Sequence, residues 1–175
     1  RLQTFFREHA KEQTDNIVSL DGVEETCAVA TVEFNVVHQL AHMMSHTLGE
    51  GIGLRQFIDY YYVLRSLKIS RHIAADWTAE FLQAGLYEFA QGVMWIEKNI
   101  LGLDDEYLIV EPSERIGLFI QKVIERGGNF GQYDKLNTRR RSNRLCRIYG
   151  GAYQSLRALR YFPTEVMWKV IGKLT

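Results

Sequence analysis

Polar groups able to do chemistry converge between His38 and Asp59, where three histidines, three glycines, one arginine and one aspartate fall within 22 residues. Histidines four residues apart share a helix face, so His38, His42 and His46 form one polar stripe with Asn35, Gln39 and Ser45. Such a stripe suits hydrogen bonding to neighbouring helices, chelation of a metal, or contact with a ligand. The spacing matches the HExxH type of metal helix, but that motif's glutamate is absent. Gly49, Gly51 and Gly53 superficially suggest a nucleotide loop. A helix rather than a strand precedes them, which is not the Rossmann arrangement. They suit a tight corner, with Gly49 closing one helix in the left-handed conformation. The corner exposes backbone N–H groups at the start of the next helix, a natural place for an anion. Arg55 sits in that first turn and Asp59 follows one turn later, an order that opposes the helix dipole. The pair suits either an interhelical salt bridge or an Arg55 that faces an anion while Asp59 orients its guanidinium.

The elements that must hold these groups are helical. Two prolines in 175 residues leave long stretches unbroken. The periodicity predicts helices over 2–12, 32–48, 54–68, 71–84, 86–100, 113–126, 138–160 and 164–173. In the second of these, Phe34, Val37, Leu40, Ala41, Met44 and Leu48 form the apolar side. In the third, the buried stripe is Leu54, Phe57, Ile58, Tyr61 and Leu64. Gly85, Gly102 and the loop Gly127-Gly-Asn-Phe-Gly131 are the main breaks. Residues 17–29 have a different character, and Asp21-Gly22 suits a type I′ turn in a small β-hairpin. The fold class is therefore mainly α, a multi-helix domain with a small N-terminal hairpin. Residues 1–31 form one part, helix plus hairpin, and residues 32–175 form the helical domain.

Hydrophobic content of 46% and charged content of 24% belong to a globular chain rather than a disordered one. No apolar run is long enough to cross a bilayer, and no signal-peptide pattern is present. Cys27 and Cys146 are expected to be free thiols in a reducing, cytoplasmic compartment, and neither has zinc-site spacing. The chain begins at Arg1, which suggests the C-terminal piece of a longer protein. Net charge is zero but unevenly spread. From Lys135 to Thr164 there is no acidic residue, while Lys135, Arg139, Arg140, Arg141, Arg144, Arg147, Arg157 and Arg160 are basic. Arg139, Arg140 and Arg144 are thus secondary candidates for binding phosphate groups, nucleic acid or an acidic neighbour, against the alternative of a solvated basic face. No helix-turn-helix or zinc-finger pattern frames them.

Phe34-Asn-Val-Val-His-Gln-Leu-Ala-His42 and His46-Thr-Leu-Gly-Glu-Gly-Ile-Gly-Leu-Arg-Gln-Phe-Ile-Asp59 together resemble a bacterial family described as uncharacterised nucleotidyltransferases, within the polymerase-β-like superfamily. Arg1-Leu-Gln-Thr-Phe-Phe6, Gly127-Gly-Asn-Phe-Gly131 and Tyr161-Phe-Pro163 are similar as well, so the resemblance spans nearly the whole chain. It implies an α/β catalytic domain preceding this helical part, with residues 1–31 as a possible edge of it. In the family a Gly-Ser pair and an Asp-x-Asp motif hold Mg²⁺ for nucleotidyl transfer. This chain has neither, and Asp104-Asp105-Glu106 lacks the alternate spacing. The resemblance therefore implies an Mg²⁺-dependent nucleotidyltransferase whose metal ligands lie outside these residues, acting on an NTP and an unspecified acceptor. His42, His46, Arg55 and Asp59 are the residues expected to face nucleotide and phosphate, with no metal site and no catalytic residue in this chain. The alternative is a non-catalytic helical interaction domain whose basic segment binds an acidic partner or nucleic acid.

Overall fold

The computed structural model describes residues 2–22, 24–49, 51–67, 71–127 and 159–163, with backbone alone over 71–76 and at 127. In chain order these are α1 (Leu2–Asp15), β1 (Ile17–Ser19), β2 (Thr26–Ala28), α2 (Val32–Thr47), α3 (Leu54–Ser66), α4 (Arg71–Ala84), α5 (Tyr87–Asn99), a single 3₁₀ turn (Asp105–Tyr107) and α6 (Glu114–Gly127). The expected mainly helical class with one small hairpin is the observed one. The expected helices at 138–160 and 164–173 lie outside the described residues, apart from the short piece 159–163.

Local chemistry accounts for where the elements start. Thr31 caps α2, its hydroxyl accepting from the Phe34 N–H at 3.2 Å. Glu33 in the first turn complements the helix dipole. The Thr31 N–H in turn donates to Gln13 Oε1 at 2.7 Å, which ties α1 to the start of α2. In the hairpin, Ile17 pairs with Ala28, Val18 with Cys27 and Ser19 with Thr26. That register leaves residues 20–25 as the connection, so the strands are not joined by the expected two-residue turn.

The core is built around α5, which packs against α6, α4, α3 and α2. Phe89, Ala90, Gly92, Val93, Met94, Ile96 and Glu97 are all buried on it. The buried stripe of α2 is Val36, Val37, Leu40, Met43 and Thr47, and that of α3 is Phe57, Tyr60 and Leu64. Both are rotated from the expected stripes. Leu54 and Ile58 are exposed, and Tyr60 goes inside because its hydroxyl finds an acceptor there, the Val36 carbonyl at 3.3 Å. Residues 159–163 fold back on α5 and α6. Phe162 is fully buried edge-on to Phe89 and Phe119, and Tyr161 stacks on Phe119 at 4.4 Å.

Two glycines let α5 and α6 approach closely. A methyl at Gly92 would run into Ile116 Cγ2 and come within 2.8 Å of Ile120 Cδ1, and one at Gly117 would strike the face of the Trp95 indole. Overpacking of this kind costs about 1–3 kcal/mol, against roughly 1 kcal/mol of helix propensity gained by replacing glycine with alanine. Gly92→Ala and Gly117→Ala are each expected to lower stability in urea unfolding. A gain in stability at either site would show that the helices have room between them.

Candidate functional site

The histidine stripe forms one edge of a column of rings. Residues four apart stand one turn above another, and the Phe34 and His38 rings lie 5.8 Å apart at 12°. His38 and His42 follow at 6.3 Å and 8°, and His42 meets His46 edge-on at 4.4 Å. From α1, Phe6 abuts both Phe34 and His38, while Phe5 stacks on Phe34. His38 and His42 are exposed and His46 is half-buried. The stripe thus meets aromatic rings at its His38 end, faces solvent at His38 and His42, and is half-buried at His46. Among the described residues, no group of three or more His, Cys, Asp or Glu side chains is placed to hold a metal ion.

The corner between α2 and α3 is compact and buried. His46 O accepts from the Gly49 N–H at 3.0 Å and the Gly51 N–H at 2.9 Å. Gly51, not Gly49, takes the left-handed backbone, at φ 96°. The turn runs two residues past the expected position because Leu48 still bonds back to Met44 in helical fashion. Gly51, Ile52 and Gly53 are buried. Gly53 is the N-cap of α3 and offers no side-chain acceptor, and the first turn contains no acidic residue. Among the described residues, the positive end of α3 therefore has neither a capping side chain nor a carboxylate in that turn. Arg55 stands in that turn, exposed, and Asp59 is exposed one turn further on. The two are not ion-paired with each other. The fold brings His46 and the start of α3 into one corner, with His42 and Asp59 each a helical turn away along α2 and α3. Arg139, Arg140 and Arg144 lie outside the described residues, as does Cys146; Cys27 is a free, exposed thiol.

One charged residue that the sequence reading passed over lies in the core. Glu97 is fully buried, and neither of its carboxylate oxygens has a hydrogen-bond partner among the described residues. Burial raises its pKa from 4.5 to about 9. It also raises the pKa of the buried Tyr60 phenol, already lifted well above its ordinary value by desolvation. The signal was present in the spacing, since Glu97 continues the line Phe89, Val93 at four-residue steps on the buried face of α5. Its neighbour Lys98 instead reaches outward to Asp105 at 2.6 Å.

Comparison with family profiles, with curated proteins and with solved structures found no match for this chain.

A raised carboxyl pKa has a defined consequence for stability. Glu97 is protonated in the folded chain at neutral pH, so its contribution is fully present below about pH 4.5 and is lost as pH rises towards about 9. Between those limits folding is expected to weaken by up to about 1.4 kcal/mol per pH unit from this group. Melting temperature measured from pH 5 to 9 is expected to fall, and Glu97→Gln to flatten that slope. An unchanged slope in the variant would assign the pH dependence elsewhere.

Proposed function

We propose that this chain is the helical C-terminal portion of a nucleotidyltransferase-like protein that, when intact, transfers a nucleotidyl group from an NTP to an acceptor. The observation that carries this reading is the start of α3, which no side chain among the described residues caps, with the exposed Arg55 and no acidic residue in its first turn. Helix amides and a guanidinium together form an anion-seeking corner, the chemistry a triphosphate requires. In this reading Arg55 holds a phosphate and Asp59 orients the guanidinium from one turn along the same helix. His42 and His46 contact the nucleotide or the acceptor. The sequence has no Gly-Ser pair and no Asp-x-Asp motif, so in this reading the metal and the acceptor activation it supplies come from residues outside this chain. The resemblance carried by His46 to Asp59 supports the same assignment.

A second reading draws on the basic run from Lys135 to Thr164. As a non-catalytic interaction domain, the chain would bind an acidic partner or nucleic acid with steep salt dependence and would ignore nucleotides.

Thermal denaturation with each of the four NTPs, with and without Mg²⁺, distinguishes the two. Ligand at a hundredfold excess over its Kd adds about 2.7 kcal/mol, several degrees for a chain of this size. At least one NTP is expected to raise the melting temperature, and Arg55→Ala to abolish the rise. No rise in this chain or in the longer protein, or a rise that survives Arg55→Ala, would count against the phosphate role.

A further inference from the structure

The hairpin between α1 and α2 is pinned at its base and open at its tip. At the base, the Val29 N–H donates to the Asn16 carbonyl at 3.0 Å, and the Asn16 side-chain amide donates to the Val29 carbonyl at 2.9 Å. Strand pairing ends at Ser19 and Thr26. Beyond it, Leu20, Asp21, Gly22, Glu24 and Glu25 are exposed. Gly22 takes a left-handed backbone at φ 79°, and a methyl built on it would meet nothing within 4 Å. Among the described residues, neither the Asp21 carboxylate nor the Gly22 N–H enters a hydrogen bond or ion pair.

The amide nitrogen that follows an aspartate can attack its side-chain carboxyl, because the ring that closes has five members. A side chain on the following residue shields that nitrogen, and a rigid backbone keeps it from turning towards Cγ. Asp21 is the one aspartate that glycine follows, and glycine follows no asparagine. Asn16, Asn35 and Asn99 each precede a β-branched residue. Asp59 lies inside α3, where the next N–H is committed to the helix. We propose that Asp21 is a site of spontaneous backbone modification, at which the folded chain forms a succinimide and then isoaspartate. The Gly22 nitrogen gives up its proton and bonds to Asp21 Cγ, and a carboxyl oxygen leaves as water. Water then opens the ring at either of its carbonyls. Breaking the new bond between Gly22 N and Cγ restores aspartate. Breaking the original peptide bond instead leaves the chain running through the side-chain carbonyl, one methylene longer and unchanged in mass. No oxidant or cofactor takes part. Because Asn16 and Val29 hold the base, the ring closes at the tip without disturbing the strand pairs. The site is independent of the Arg55 corner.

The test holds the intact chain in H₂¹⁸O at physiological pH and temperature, then digests it in ordinary water. Electron-transfer fragmentation of the peptides distinguishes the two linkages. The Asp21 peptide is expected to acquire a β-linked species that carries one ¹⁸O and accepts a methyl group from an isoaspartyl methyltransferase. Gly22→Ala is expected to slow its formation about tenfold. That variant also strains a left-handed position, so Asp21→Glu, at the exposed carboxyl, is the cleaner control. It would need a six-membered ring and is expected to abolish the product. The chain unfolded in guanidinium supplies the unrestrained rate, and the folded chain is expected to convert within about tenfold of it. The proposal is overturned if no β-linked Asp21 forms, if the product lacks ¹⁸O, or if Asp59 converts as fast. It is equally overturned if folding slows conversion by more than about tenfold, which would make the turn a protected one.

Discussion

The close approach of α5 and α6 is the constraint on which the rest of this structure depends. Gly92 admits Ile116 and Ile120, and Gly117 admits the Trp95 ring, so each helix supplies the other's missing side chains. That interlock leaves α5 buried along most of its length, and α2, α3 and α4 then pack around it. Even residues 159–163 contribute to the same surface, with Phe162 filling the space between Phe89 and Phe119. Close packing of this kind is sensitive to single methyl groups, because the interior has no slack to absorb them.

A helix buried so completely will bury whatever polar residue falls on its inward face. Glu97 is that residue, held neutral because ionising it there would cost far more than retaining a proton. Tyr60 reaches the same region from α3 and satisfies its hydroxyl on the Val36 carbonyl of α2. Together with the burial of Phe57 and Leu64, this contact holds one side of α3 inward and leaves the other facing outward. Because Tyr60 turns inward, Leu54, Arg55, Ile58 and Asp59 are exposed. The corner we assign to a phosphate is in this sense a consequence of how a tyrosine meets its hydrogen-bond requirement one turn further on.

The opposite edge of the molecule follows a different logic. α1 and the hairpin bury no residue, and the aromatic rings of Phe5, Phe6 and Phe34 carry much of the attachment. Attachment through rings leaves hollows beside them, with Glu8, Glu12, Glu33 and Glu80 among the residues that border these.

By itself, the sequence determined the element order from α1 to α6, because apolar spacing, the Thr31 cap and the breaks at Gly85 and Gly102 are local signals. It also placed His38, His42 and His46 on one face, a property of helix geometry alone. Which side of each helix turns inward was decided only by the tertiary structure. Ile58 and Tyr60 are both apolar enough to bury, and the acceptor on Val36 chooses between them. Gly49 and Gly51 are equally able to take a left-handed turn, and the hydrogen bonds to His46 choose the second. Glu97, the packing of Phe34 and His38 against α1, and the hollow beside Trp77 all depend on contacts between residues distant in sequence. Periodicity assigns a residue to a face, but the neighbour that this face meets exists only once the helices have packed.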